Sequence, residues 1–271
     1  MATEHGSSSR AAQSVGGIRA TEIMAAAGAR ELHDGEVVVV GLGLPWVACA
    51  LARRTHAPSL TSIMEIGVIN GNPVDTPVGL ADSRIFHQST CWSSFLDTLG
   101  MNLHRGLVDV GFLGALEVDR YGNINTTLLK GEEGQVTYVN GSAGGNDVAS
   151  LARRVMIIMR HQKRKLPRVL AHLTSPGFVD GRDRAETGLR GDGPHRIITD
   201  MAILGFDPDT HLAKLLSAHP GVSVESIIEN TGFPLLLPDQ VATTPLPDEE
   251  QLRILRREID PGGAYLNERF A

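Results

Sequence analysis

Glu36-Val37-Val38-Val39-Val40-Gly41-Leu42-Gly43-Leu44-Pro45-Trp46 decides the architecture of this chain. Four consecutive valines after a charge leave no polar side for the pleat, which is the pattern of a strand covered on both faces, as in a parallel sheet. The glycines at 41 and 43 turn the chain. Pro45 suits the first position of a helix, where its missing N–H has no partner to lose. That helix is expected over 46–54, and a second strand over 62–66. Strand, glycine turn, helix and strand make a βαβ unit, whose two strands are parallel.

Outward from this unit the alternation continues. Thr21 can cap a helix whose positions Ala25, Ala29 and Leu32 share one face and which ends near Asp34-Gly35. Strands are expected over 108–113, 116–118, 136–139, 155–159, 169–173 and 197–204. Turns follow at Arg120-Tyr121-Gly122-Asn123, Pro176-Gly177 and Gly205-Phe206-Asp207-Pro208. A helix begins at 148–151, another spans 223–230 before Thr231-Gly232, and a charged surface helix spans 248–259. Between the last two, 234–247 carries Pro234, Pro238, Pro245 and Pro247, the signature of an extended arm that wraps the domain or reaches a neighbour. The fold class is therefore α/β, an open, mostly parallel sheet flanked by helices. Residues 20–271 are expected to form one domain. Residues 1–19, with Gly6, Ser7, Ser8 and Ser9 and no apolar signal core, are expected to be a flexible tail.

Composition narrows the function. An apolar content of 42% in 271 residues is ample for a sizeable core. A net charge of −6 argues against a general nucleic-acid or anionic-membrane surface, so small molecules or proteins are the expected partners. The uncharged run 37–52 is too short for a bilayer span and is interrupted by Gly41, Gly43 and Pro45. Cys49 and Cys91 both lie in apolar or small-residue surroundings, which fits buried thiols in a reducing, cytoplasmic compartment.

The chemistry is expected at Glu65, in Met64-Glu65-Ile66-Gly67. A carboxylate placed where a buried parallel strand runs out is costly to desolvate and sits at the sheet edge where open α/β folds bind ligands. The turn Gly41-Leu42-Gly43 with an acidic residue downstream partly imitates a dinucleotide-binding fingerprint, but Trp46 stands where the third glycine should let helix and strand approach. The small residues Gly141-Ser142-Ala143-Gly144-Gly145 lead into a helix and expose backbone N–H groups able to hold an anion or developing oxyanion; the plain alternative is a flexible turn. Asn123 and Asn125 read first as turn residues, with orientation of substrate or of Glu65 as the functional alternative. The ten histidines show no metal-ligand spacing and no Gly-x-Ser-x-Gly elbow is present, so no metal is expected.

Several segments occur in a telling order. They are Glu65-Ile66-Gly67, Val110-Gly111-Phe112-Leu113-Gly114-Ala115, Asp119-Arg120-Tyr121-Gly122-Asn123-Ile124-Asn125, and Gly141 with the loop that follows it to Asp147. Thr174-Ser175-Pro176-Gly177, Leu215-Leu216-Ser217, His219-Pro220-Gly221-Val222 and Glu229-Asn230-Thr231-Gly232-Phe233 come after. Together they resemble the β subunit of class I CoA-transferases, in particular that of glutaconate CoA-transferase, over nearly the whole chain after about residue 20.

The resemblance implies a CoA-transferase (NagB/RpiA-like) fold that pairs with a separate α subunit, as αβ or α2β2, with the active site at the junction. It also implies that Glu65 is a covalent nucleophile passing CoA from an acyl-CoA to a short mono- or dicarboxylic acid through a glutamyl-CoA thioester. Ala143, Gly144, Gly145 and Asn123 would be the oxyanion and substrate contacts. Coenzyme A enters as substrate, and no cofactor is permanently bound. One departure stands out: the family's loop usually has glycine where this chain has Ala143, and alanine disfavours left-handed φ by about 1 kcal/mol. Acyl-CoA decarboxylation or ring-opening hydrolysis on the same scaffold, and a non-catalytic scaffold subunit with Glu65 paired to an internal Arg or Lys, are the alternatives.

Overall fold

The protein's structure, a computed structural model, describes residues 14–131 and 133–267. Most of the expected tail, 1–13, lies outside the described residues. Helix α1 (Ala20–Arg30) leads to β1 (Val37–Val40), α2 (Leu44–Arg54), β2 (Thr61–Met64), β3 (Val68–Ile69) and β4 (Cys91–Trp92). Then come α3 (Met101–His104), β5 (Val110–Gly114), the short strands β6 (Glu117–Val118) and β7 (Ile124–Asn125), β8 (Leu128–Lys130), β9 (Val136–Tyr138), α4 (Gly145–Leu151) and β10 (Arg154–Ile158). The chain continues through β11 (Gly193–Ile198), β12 (Ala202–Phe206), β13 (Ala213–Ala218), α5 (Val224–Glu229), β14 (Ala242–Thr243) and α6 (Glu249–Ile254).

Ten strands form one sheet in the order β14-β13-β12-β11-β10-β5-β1-β2-β3-β4. The five in the middle, β11-β10-β5-β1-β2, are parallel. On one flank β3 and β4 turn antiparallel, and on the other β12 and β13 do so before β14 returns parallel to β13. The valine run behaves as its sequence requires. Val38 and Val40 pack into the cluster beneath α1 and α2 with Trp46 and Phe112, while Val39 joins Ile63, Leu99, Leu103 and Val148 on the opposite face. A third cluster, with Leu204, Leu215, Ile227 and Phe233, closes the β12–β13 end beneath α5.

Helix α2 starts at Leu44, two residues earlier than its apolar pattern alone suggests. Gly43, at φ 97°, makes the turn that an L-residue resists, and Pro45 lies in the first helical turn.

Several sequence expectations are corrected. Thr21 does not cap α1: it is fully buried and its Oγ1 donates to the Leu266 carbonyl at 2.7 Å, while Arg19 and Glu22 close the helix start. Residues 169–173 form no strand. Val169 is 78% exposed, and the backbone N–H of Ala171 is taken by the Glu117 carboxylate at 3.0 Å rather than by a neighbouring strand. The run 197–204 is two antiparallel strands, not one, because Thr199 folds back and its Oγ1 accepts the N–H groups of Met201 and Ala202. Cys91 is exposed on the edge strand β4, whereas Cys49 is buried as expected. The proline-rich arm lies along its own domain: Leu236 exchanges backbone bonds with Ala213 and Leu215, and β14 pairs with β13. No helix among the described residues is long and apolar enough to cross a membrane.

Candidate active site

Glu65 follows the last residue of β2, in the three-residue turn 65–67 of a hairpin that pairs Met64 with Val68. The expected strand 62–66 thus stops just short of it. Val39 of β1 lies opposite Ile63, so Glu65 emerges level with Gly41, at the carboxyl ends of the parallel strands. Its side chain is neither packed away nor locked: the residue is half-buried and, among the described residues, forms no ion pair. The polar contact of its carboxylate is the backbone N–H of Gly144, which donates to Oε2 at 3.4 Å.

The loop 141–145 is held over Glu65 by close packing. A Cβ on Gly144 would stand 2.6 Å from Leu99 Cδ2 and 3.1 Å from Glu65 Oε2, so glycine is required by space there. Ala143 adopts φ 43°, the left-handed conformation that its side chain disfavours. The Gly145 N–H is already committed to the Ser142 carbonyl at 2.8 Å. Of the three loop positions singled out in the sequence, Gly145 serves the turn, Gly144 turns its N–H to the Glu65 carboxylate, and the Ala143 N–H makes no hydrogen bond among the described residues.

Asn123 and Asn125 belong to the scaffold of this loop. The Asn123 amide donates to Asp119 Oδ2 at 3.0 Å and accepts from Gly177 N–H at 2.8 Å. Burial raises the pKa of Asp119, although the Asn123 amide and the N–H groups of Tyr121 and Asn123 favour its carboxylate. Asn125, fully buried, donates to Glu117 Oε2 at 2.7 Å and to the Leu128 carbonyl at 2.7 Å, and accepts from Thr127 N–H. Thr174 joins the same network: its hydroxyl pairs with Thr127 at 2.8 Å, and its carbonyl accepts from the Asn146 amide at 2.8 Å. Three segments, 123–127, 141–146 and 174–177, are thus tied into one polar frame. Leu99 and Glu117 carried no sequence signal for this role; Thr174 did, in Thr174-Ser175-Pro176-Gly177.

Exposed apolar side chains, interspersed with Ser93, Ser94 and Asp97, lie on the elements that flank the Glu65 turn. Ser93 N–H donates to the Gly67 carbonyl, which brings Trp92, 70% exposed, against the Glu65 hairpin. Leu96, 66% exposed, lies one turn from Leu99, and Tyr138, 77% exposed, lies on the β8–β9 hairpin tied to the frame through Val139 N–H and the Thr127 carbonyl. Of two cavities, the one of about 490 Å³ is elsewhere, at the opening of β11 beside Phe178, Arg184 and His211. The smaller one, of about 210 Å³, opens at the carboxyl ends of β1, β5 and β10. Crevices at those strand ends are where open α/β sheets bind ligands, so position outweighs size. Among the described residues no group of three or more His, Cys, Asp or Glu is placed to hold a metal ion.

Comparison with known proteins identifies the family. Residues 21–230 match the family model described as coenzyme A transferase. The chain is 38% identical to the β subunit of 3-oxoadipate CoA-transferase of Pseudomonas knackmussii over 87% of its length and 91% of the relative's. It is 34% identical to the β subunit of glutaconate CoA-transferase of Acidaminococcus fermentans over 90% and 94%. The crystal structure of the latter enzyme superposes with a TM-score of 0.84 at 33% identity, covering 91% of this chain and 96% of that one. The decarboxylase AibA/AibB superposes with a TM-score of 0.77 at 28% identity, over 90% and 95%. A chain with this sheet, this loop order and these similarities belongs to the coenzyme A transferase family, as the β member of a class I enzyme.

Proposed function

We propose that Glu65 is the covalent nucleophile of this enzyme, moving CoA from an acyl-CoA to a short mono- or dicarboxylic acid at a site completed by an α subunit. The observation that carries the reading is a half-buried carboxylate, without an ion pair among the described residues, at the end of a parallel strand and facing a backbone N–H. The Glu65 carboxylate attacks the thioester carbonyl, giving a mixed anhydride and free CoA thiolate. The thiolate attacks the glutamyl carbonyl of the anhydride, forming a glutamyl-CoA thioester and releasing the first acid. The acceptor carboxylate attacks that thioester, and the thiolate expelled returns to the acyl carbonyl of the new anhydride, regenerating Glu65. Each step exchanges one activated acyl bond for another, so no ATP is consumed. The N–H groups of Ala143 and Gly144 are the proposed donors to negative oxygen as it develops, a role supported by the Gly144 N–H contact with the Glu65 carboxylate, and Asn123 is the proposed positioning residue, acting through Gly177.

The apolar surface around Trp92, Leu96 and Tyr138 is the proposed seat of the α subunit, since it borders Glu65 and covering it would exclude water from the thioester. The structural likeness to the decarboxylase AibA/AibB supports a second reading, acyl-CoA decarboxylation without an enzyme thioester. Incubating the αβ complex with acyl-CoA and trapping with hydroxylamine separates the two. Modification of Glu65, lost in Glu65→Gln together with transfer, supports CoA transfer; full transfer in Glu65→Gln removes it.

A further inference from the structure

Arg184, which comes just before the short 3-10 turn Ala185–Thr187, is only 4% exposed, and it forms no ion pair among the described residues. Its guanidinium is bonded to main-chain carbonyls instead. Nη2 donates to Ala149 at 2.6 Å and Ser150 at 3.3 Å, Nη1 to Gly177 at 3.0 Å and Pro176 at 3.4 Å, and Nε to Arg190 at 2.8 Å. Ala149 and Ser150 stand in the last turn of α4, where helix carbonyls have no partner further along the helix and the helix dipole favours a cation. Burial lowers the pKa of Arg184 to about 10, with Asp192 opposing the shift, so the group stays charged at neutral pH. Gly193 makes room for its stem: a Cβ there would stand 2.4 Å from Arg184 Cδ.

These bonds join two parts of the frame around Glu65. Gly177 already donates its N–H to Asn123, so this residue is gripped from both sides, and the other end of α4 is the loop 141–145. Ala149 follows Gly144 by five residues, about 7.5 Å along a helix at about 1.5 Å per residue. Over so short a span the helix moves as one piece. Val148, seated on Gly111, fixes it sideways: a Cβ on Gly111 would stand 2.2 Å from Val148 Cγ1. Along its axis α4 is tied to the segment 174–177 twice, by the Asn146 amide on the Thr174 carbonyl at the amino end and by Arg184 at the carboxyl end. The Gly144 N–H stands 3.4 Å from Glu65 Oε2, already long for a hydrogen bond, so a retreat of α4 by about an ångström removes the contact.

We propose that Arg184 is a positioning residue for CoA transfer: by joining the carboxyl end of α4 to the 176–177 peptide, its guanidinium fixes where the Gly144 N–H meets the Glu65 carboxylate. The effect on transfer rests on the proposed role of Glu65; the hold on the loop does not. The 490 Å³ cavity has Arg184 in its wall and no residue of the Glu65 turn, so a guanidinium ion can enter the space that truncation leaves without meeting the reacting groups. In the αβ complex, Arg184→Ala should lower kcat about ten- to hundredfold, as misplacing a reacting group by an ångström does, and leave the acyl-CoA KM nearly unchanged. Amide hydrogen exchange, read by mass spectrometry, should quicken in the peptide 141–151 and stay unchanged in β1 and β13. Millimolar guanidinium should restore kcat and exchange together, and ammonium at the same ionic strength should restore neither, since a point charge cannot serve carbonyls on two segments at once. Arg184→Lys keeps the charge and should lose kcat about fivefold or more for the same reason; it carries the test if Arg184→Ala fails to assemble. Wild-type kcat in either variant, a loss confined to KM, exchange that quickens throughout the chain, or recovery with ammonium as good as with guanidinium would overturn the proposal. Hydroxylamine trapping in the wild type is scored apart. Absence of a Glu65 adduct there, with exchange in 141–151 still dependent on Arg184, rejects Glu65 as nucleophile and leaves the hold on the loop standing.

Discussion

Gly144→Ala offers a sharp test of how the site is held. The added Cβ would meet Leu99 Cδ2 at 2.6 Å and Glu65 Oε2 at 3.1 Å. Ordinary contact begins near 3.4 Å, so Leu99 must retreat by about 0.8 Å and the carboxylate by a few tenths of an ångström. Leu99 is fully buried, and overpacking of this kind costs about 1–3 kcal/mol. Misplacing a reacting group by an ångström can cost about 100-fold in rate, so the smaller carboxylate shift, with a weakened N–H contact, should lower kcat about tenfold.

Leu99→Ala in the same chain separates packing from chemistry. Alone it removes buried methyl groups at about 2–5 kcal/mol. Combined with Gly144→Ala, it makes room for the new Cβ, so the two stability costs should fall short of additivity by about 1 kcal/mol or more. The contact with Glu65 remains, and kcat should stay low in the double variant. Urea unfolding and steady-state transfer rates of the αβ complex read the two effects. Wild-type kcat in Gly144→Ala, or strict additivity of the stability changes, would refute the reasoning.

Other outcomes follow from individual residues. Ala143→Gly relieves a left-handed alanine at φ 43° and should change stability by between zero and about +1 kcal/mol; a loss of 1 kcal/mol, the usual result at an ordinary φ, would contradict the geometry. With this chain alone, an aromatic disulfide reagent should titrate Cys91 at once and Cys49 only on unfolding, because burial pushes the Cys49 thiol up to about 12. His161 is wedged between Thr199 and Thr231 and burial lowers its pKa to about 4, with Asp200 opposing the shift and His219 adding to it. The unfolded chain takes up that proton first, near 6.5, so this contribution to stability is intact above 6.5 and lost as pH falls towards 4, by at most about 3 kcal/mol. Unfolding curves between pH 4.5 and 7 should show a shallower acid slope in His161→Gln; an unchanged slope would count against it.

Much of the fold was legible because its signals are local. The valine run, the glycine turn and Pro45 identify the βαβ unit without reference to anything distant, and Ser223 and Asp248 cap the last two α-helices through their own next turns. The errors arise where partners are remote. Thr21 has the chemistry of a cap, yet its hydroxyl is taken by Leu266 from the far end of the chain. Residues 169–173 are rich enough in apolar residues for a strand, but a side-chain carboxylate from β6 replaces the neighbouring backbone. Cys91 has the sequence surroundings of a buried thiol, and only the sheet order reveals an edge. Glu65 could be singled out because a charge at the end of an apolar strand is conspicuous. Leu99, one apolar residue among many, could not.

The polar frame of Glu117, Asn125, Thr174 and Asn146 constrains how such a protein can be re-engineered. The buried members Asn125 and Thr174 depend on neighbours outside their own loops, so grafting one loop from a relative leaves buried polar groups of another without their partners. Chimaeras that retune substrate choice should exchange 123–127, 141–146 and 174–177 as a set. Single-loop transplants should lose soluble expression before they reveal anything about selectivity.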